Sequence, residues 1–345
     1  MQHQPLRIGI MGCGNIARQF VAAVAHSPHV KVLAAGSRET AKAAEFAATF
    51  GLPRHHGSYE ALLADADLDI IYVALPNSMH VEWVVKAAQA GKHVLSEKPL
   101  ALNLLEAQTM FAAARQAGVM LLEAYPYWFQ PQTRDMLDII HSGQIGDVRH
   151  VQATFGFNLQ NSAGNIRMSP DLGGGALLDA GSYAMSLIRL AIAARPIRVS
   201  AQSHGAESGV DIGTSATLWY ADGRSAQLHC AMNVGYHRLA TILGSDGVIE
   251  TEFLNHTSNS NTPHPMNYLP SMMRVRKGYG NAIPFVNVHS AAGSGFAFCA
   301  EAFAKVIRDR DFAAIDRAAA ASCDIAATLA AIGQSARTAR FVDLT

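Results

Sequence analysis

Three groups of residues in the chain have the types and spacing to do chemistry. The first is Gly12-Cys13-Gly14-Asn15-Ile16-Ala17, a G-x-G-x-x-A run directly after the apolar stretch Leu6–Met11. In such a run Gly12 permits a tight turn and Gly14 lets backbone approach a pyrophosphate. Ala17 is small enough for close helix–strand packing. A helix opened by Asn15 and Ile16 would present free N–H groups and partial positive charge to the phosphates. An ordinary glycine turn is the plain alternative. The second group is Ser37-Arg38-Glu39, where enzymes that use NAD carry an acid against the ribose hydroxyls. No acid stands directly at this strand end, and an Arg there can pair with a 2′-phosphate and stack on adenine. NADP(H) is therefore preferred. NAD(H) stays possible, with Glu39 on the ribose and Arg38 merely solvated. The third group is Asp179 and Tyr183, four apart and so on one face of a helix, behind Gly173-Gly174-Gly175. The glycines would let backbone approach a ligand. A tyrosine is a poor acid–base at neutral pH, but a nearby ammonium such as Lys98 favours the phenolate and lets the pair shuttle a proton. A core tyrosine on a buried helix face is the competing reading.

The elements that must hold these residues follow from the periodicity. Leu6–Met11, Val30–Ala35, Ile70–Leu75, His93–Leu95 and Val119–Glu123 read as buried strands. Helical patterns separate them at Ile16–Ala25, Thr40–Phe50, His80–Ala90 and Ala107–Ala117. Strands alternating with helices argue for a parallel, doubly wound sheet. The character changes after Tyr125. Alternating segments at Val148–Phe157, Val199–Ser203, Thr214–Tyr220, Ser225–Met232, Arg238–Leu243 and Val248–Phe253 suggest a mainly antiparallel sheet, with turns at Ala221-Asp222-Gly223 and Ser245-Asp246-Gly247. Helices at Thr133–His141, Leu177–Ala193, Phe296–Arg308 and Ala318–Ala339 accompany it. The expected plan is α/β: a Rossmann domain over residues 1–124 and an α+β domain with an open sheet over 125–345. Residues 255–281 read as a long polar loop.

Composition narrows the partners. The chain has 345 residues, half of them hydrophobic, with 27 basic and 27 acidic side chains. Its Lys and Arg are scattered, so neither nucleic acid nor a membrane is the expected partner. Four separated cysteines and fifteen histidines without HxxxH or HExxH spacing give no disulfide frame, and no metal is expected. Residues 1–14 contain no basic segment leading into an apolar stretch, and a cytoplasmic location is expected.

Ser96-Glu97-Lys98-Pro99, with Pro76-Asn77-x-x-His80 and Ala90-Gly91-Lys92-His93-Val94, resembles the Gfo/Idh/MocA family of sugar and polyol dehydrogenases. The segment from Gly173 to Tyr183 resembles a second signature of that family, and the likeness covers nearly the whole chain. It implies that Lys98 sits beside the nicotinamide and the reacting oxygen, although alone it reads as a surface lysine before a Pro turn. It also implies that Pro76, Asn77, His80 and Glu97 line the cofactor. Asp179 matches the family's acid, whereas Tyr183 stands where many members have His. That departure resembles the branch with glucose–fructose oxidoreductase, dihydrodiol dehydrogenase and NADP-dependent xylose dehydrogenase, in which a tyrosine donates the proton. The aromatic run Tyr125, Trp128 and Phe129 reads equally as substrate wall or as core, and Asn165 and Arg167 equally as substrate-proximal or as surface loop. The expectation is reversible hydride transfer between NADP(H) and a CH–OH or carbonyl carbon of a sugar, sugar derivative or cyclic diol. Tyr183 would be the acid–base, tuned by Lys98, which also holds the oxygen, and Asp179 would orient substrate or Lys98. The second sheet's other face, broad and partly apolar, would bury against another subunit in a homodimer or homotetramer. Two alternatives remain: a non-catalytic dinucleotide and sugar sensor, and a sugar oxidoreductase whose cofactor never leaves.

Overall fold

The computed structural model describes residues 4–260, 268–278 and 280–344. They form two compact units. The first comprises the chain up to Ala101, Leu105–Pro126 and Ser294–Ser322. The sequence division at residue 124 is therefore amended, because Ser294–Ser322 returns to the first unit.

In the first unit, β1 (Leu6–Met11), α1 (Asn15–Val24), β2 (Val30–Gly36), α2 (Thr40–Phe50), β3 (Arg54–His56), α3 (Tyr59–Leu63), β4 (Ile70–Val73), α4 (His80–Gln89), β5 (His93–Glu97), α5 (Leu104–Gln116) and β6 (Leu121–Ala124) follow in chain order. The strands lie in the order β3-β2-β1-β4-β5-β6, and every pairing is parallel. β4 and β6 are buried throughout, as expected of parallel strands covered on both faces. Chain order reverses between β1 and β4, and sheets of this kind bind ligands outside the carboxyl ends of the strands at such a point. Phe20 of α1 stacks on Tyr72 of β4 at 3.9 Å and meets Phe296 edge-on at 6.0 Å. Phe296 belongs to α8 (Gly295–Asp309), which explains why that segment packs here. The sequence reading omits β3 and α3. Three and five residues are too few for a periodic signal, and α3 is fixed instead by its cap, Ser58, whose hydroxyl accepts Ala61 N–H at 3.0 Å.

The second unit holds α6 (Pro131–His141), β7 (Val148–Asn158), α7 (Ser182–Ile192), β8 (Arg198–Gly205), β9 (Asp211–Trp219), β10 (Ser225–Ala231), β11 (Asn233–Gly244) and β12 (Gly247–Glu252). The long helix α9 (Phe312–Thr338) ends in this unit. Among the described residues the sheet has nine strands. β12, β11, β7, β10, β9 and β8 are adjacent in that order, with Met273–Lys277 and Val286–Asn287 beyond β12 and Val342–Asp343 beyond β8. The two expected hairpin turns join antiparallel neighbours, but β7 and β10 pair in parallel, so the sheet is mixed. The region 255–281 is not one loop. Its described part includes the strand Met273–Lys277 paired with β12, while 261–267 and 279 lie outside the described residues.

One face of this sheet carries α7, all but two of whose residues are buried. The other face is more polar than the sequence reading supposed. Gln152 bonds Gln227, His150 bonds Ser225 and Ser215 bonds His229 across adjacent strands. Among the described residues, Pro170–Ile192 is the one helical stretch long and apolar enough to cross a membrane, and 78% of its apolar window is buried inside the protein.

Candidate active site

The first unit supplies a cradle for a dinucleotide. Gly12 has φ +98°, and a Cβ there would stand 2.5 Å from the Ala74 carbonyl oxygen, so only glycine fits. Its N–H donates to Gly36 O at 3.0 Å, tying the turn to the end of β2. Gly14 caps α1, with open space where its Cβ would be. No side chain caps α1 and no acid stands in its first turn, which leaves its first N–H groups, those of Asn15 and Ile16 among them, available to an anion. Ala17 is fully buried against the sheet. At the end of β2, Ser37 is buried while Arg38 and Glu39 are exposed. Arg38 lies against the hydroxyl of Tyr59, whose phenol burial pushes up and Arg38 opposes. These residues suit a 2′-phosphorylated dinucleotide.

The Glu97-Lys98 pair closes β5. The buried Glu97 carboxylate accepts the Tyr72 hydroxyl through one oxygen and Lys98 N–H at 3.3 Å through the other, leaving Lys98 half-buried with a fixed backbone. Pro76 and Asn77 are half-buried on the turn after β4. His80 departs from expectation. It is fully buried, with Nδ1 2.9 Å from Pro99 O and Nε2 3.0 Å from Leu75 O. No part of the ring remains to line a cofactor; it ties the loop after β4 to the loop after β5. Burial holds its imidazole below the ordinary value. Glu123, from β6, accepts Leu100 N–H at 2.8 Å beneath the same loop, and burial pushes its carboxyl up to about 7. Tyr125 is fully buried beside it, which removes it from the substrate wall.

The second unit supplies the acid–base candidates. Asp179 lies in a π turn, Leu177–Gly181, that runs directly into α7; such turns recur at functional sites. The turn is fixed from below by Asp211, whose Oδ2 accepts Leu177 N–H at 2.8 Å and Thr214 hydroxyl at 2.9 Å. Arg167 Nε donates to Asp179 Oδ2 at 2.6 Å, and that charge raises the guanidinium above its ordinary value. Asn165 serves its own turn, accepting Arg167 N–H at 3.0 Å, so its side chain positions Arg167. Gly174 and Gly175 each lie tight against neighbouring groups of the same unit. A Cβ on Gly174 would meet Arg167 O at 2.5 Å, and one on Gly175 would meet Asp211 Oδ1 at 2.2 Å. They let this protein's own chain segments approach. Tyr183 is 6% exposed, and its oxygen accepts Asn255 Nδ2–H at 2.8 Å. Trp128 and Phe129 are half-buried, and Trp128 Nε1 donates to the buried Tyr127 hydroxyl at 3.0 Å.

Arg238 and Asn255 are absent from the sequence reading. Arg238 had a legible signal: it shares strand parity with the buried Ala240 and Ile242, and a charged residue on the inward face of a strand invites a reason. Asn255 had none, because only the tertiary fold brings the start of a polar segment to Tyr183.

Residues 6–125 match the family model described as GFO/IDH/MocA, an oxidoreductase family with an NAD-binding Rossmann fold, and residues 133–250 match the GFO/IDH/MocA C-terminal domain. The chain is 38% identical over 247 residues to a D-xylose 1-dehydrogenase (NADP(+)) of Haloferax volcanii, covering 71% of this chain and 75% of the relative. It resembles the crystal structure of a 3-ketoreductase from Actinomadura kijaniata in complex with NADP and TDP-benzene, with TM-score 0.83 and 31% identity over 96% of this chain and 98% of that one. It also resembles an aldose–aldose oxidoreductase from Caulobacter crescentus complexed with glycerol, with TM-score 0.85 and 25% identity over 99% and 100%.

Proposed function

The chain belongs to the Gfo/Idh/MocA family of oxidoreductases, and from that premise we propose that it is an NADP(H)-dependent dehydrogenase or reductase. Its substrate is the CH–OH or carbonyl carbon of a sugar, sugar derivative or cyclic diol. The observation that carries this reading is the Tyr183 oxygen, a nearly buried phenol held as an acceptor by Asn255 and following the turn that presents Asp179. A sensor needs a ligand pocket but no proton donor so placed.

Bound NADP supplies the hydride chemistry at its nicotinamide. Gly12, Gly14, Asn15 and Ile16 hold the pyrophosphate, Ser37 and Arg38 the 2′-phosphate, and Pro76, Asn77 and Glu97 the nicotinamide end. Lys98 holds the reacting oxygen, Tyr183 passes a proton to or from it, and Asp179, paired with Arg167, orients the neighbouring hydroxyl. Trp128 and Phe129 wall the substrate. In this reading the first unit is the dinucleotide-binding domain, and the second binds substrate and carries a homodimer or homotetramer contact through its sheet. Four free cysteines, three of them buried, suit a reducing cytoplasm.

The test is Tyr183→Phe, assayed by NADPH absorbance against keto sugars and diketones, and by NADP reduction with aldoses. We expect kcat to fall about 10²–10⁴-fold, the usual loss for a general acid, with NADPH affinity retained. Unchanged turnover would remove Tyr183 from the reaction. A non-dissociating cofactor, suggested by the likeness to an aldose–aldose oxidoreductase, would be seen as nicotinamide that purifies with the protein and turns over without free NADP.

A further inference from the structure

Arg238 is the most anomalous charge in the molecule. It is 6% exposed, and its guanidinium carbon lies 4.1 Å from the ring centroid of Tyr183, 4.6 Å from Phe155, 4.9 Å from Phe253 and 5.5 Å from Tyr127. No carboxylate pairs with it among the described residues. Its Nη2 reaches Asn255 Oδ1 at 3.4 Å, a phenol contact comes from Tyr236, and its Nε has no acceptor. A buried cation without an anion is costly, and an apolar side chain of similar size would fill the same box at less cost. The box therefore asks for a negative charge. The one group that faces the guanidinium, bonds its polar neighbour and acquires negative charge in the proposed reaction is Tyr183. Asn255 joins the two, accepting from Arg238 and donating to the Tyr183 oxygen.

We infer that Arg238 is a positioning residue for Tyr183: the guanidinium fixes the ring and, with Asn255, supplies the positive field against which the Tyr183 oxygen carries negative charge during proton transfer. The inference rests on the catalytic reading of Tyr183 given above. A cation over a ring face is attracted to its π cloud, and more strongly once the phenol is ionised. Among the described residues, Arg167, Tyr127 and Tyr236 are further titratable groups that reach Tyr183 within its unit, and His256 feels the charge of Arg238. Arg167 is already paired with Asp179, and the Tyr127 hydroxyl is bonded to Ser186 and Trp128.

The experiment is a spectrophotometric tyrosinate titration of the full chain. The Tyr183 contribution is isolated by subtracting the same titration of the corresponding Tyr183→Phe protein. Arg238→Met, with Arg238→Gln as the second variant should the first not fold, is expected to raise the Tyr183 midpoint by about one pH unit or more, a tenfold change in the ionised fraction. Arg238→Lys is expected to return at least half of that shift. In the oxidation direction with aldoses, the acid limb of kcat should move by the same amount, so activity recovers at high pH. A purely structural role would lower kcat equally at all pH values. A folded Arg238→Met or Arg238→Gln protein whose Tyr183 midpoint and acid limb stay in place overturns the inference. Because the titration needs no turnover, that result is distinct from an unchanged rate in Tyr183→Phe, which would overturn the catalytic reading instead.

Discussion

Glu123→Gln offers the cleanest quantitative check on how the Lys98 loop is held. The Glu123 carboxyl is buried beneath that loop, accepts Leu100 N–H at 2.8 Å and is pushed up to about 7 chiefly by burial, with Ser322, Leu100, Tyr125 and Lys98 pulling the other way. Its ordinary value is 4.5, so the shift is 7 − 4.5, or about 2.5 units. At 1.36 kcal/mol per unit this is about 3 kcal/mol. The sign follows from linkage. Between the two values the folded protein binds a proton that the unfolded chain has released, so stability is full below about pH 4.5, falls as pH rises, and has lost this contribution above about pH 7. Glutamine keeps a carbonyl oxygen for Leu100 N–H but never ionises. The variant should therefore lack that slope and, at about pH 8, exceed the parent by up to about 3 kcal/mol. Urea unfolding of both proteins from about pH 5 to pH 8 reads the difference directly, and the unfolded-state contributions of all other groups cancel. Curves that run parallel across that range would mean that Glu123 is hydrated or already charged, and the account of its burial would fail.

Three further outcomes are expected. Arg38→Ala should weaken NADPH binding about ten- to a hundredfold, the worth of a charged hydrogen bond, while NADH binding changes little; equal losses measured by fluorescence titration would refute the phosphate role. Asp179→Asn keeps the shape of the turn and removes the charge that Arg167 answers, so kcat/KM for sugars should fall about tenfold or more with thermal stability nearly kept. A parent-like kcat/KM would leave Asp179 a structural role only. Gly175→Ala forces a side chain into a backbone at φ +111° with Asp211 Oδ1 in the way, so it should lose about 2 kcal/mol or more in denaturant unfolding, whereas a neutral result would show that the turn can move.

The fold was legible wherever burial imposes a period. In the first unit β4 is an unbroken apolar run and β1 and β2 are each apolar but for one basic residue, and α2 was read to the residue because Gly51 ends it with φ +64°. Elements that borrow their stability were not legible: β3 exists through its pairing with β2, and Ser294–Ser322 joins the first unit through contacts such as Phe296 on Phe20. Gly12 could be read locally because a strained turn is a local event. Gly174 and Gly175 could not, since the groups they accommodate, the Arg167 and Ser169 carbonyls and the Asp211 carboxylate, reach them only in the folded state. His80 was misjudged, and Tyr125 left between wall and core, for one physical reason: polar side chains beside a site can hold its loops, and sequence does not show which way they face.

The two units answer chemistry in different currencies of structure. In the first, backbone carries the proposed site: the proposed anion site is a helix end, and Glu97, His80 and Glu123 each bond a main-chain group flanking Lys98. In the second, side chains do the work. Tyr183 is set by Asn255, Arg238 and the rings of Tyr127 and Phe155, and Asp179 by Arg167. On the proposed reading, a change at any one of these alters the field or the shape at Tyr183 and Asp179. Selectivity among sugars and diols can therefore drift in the second unit while the first stays fixed.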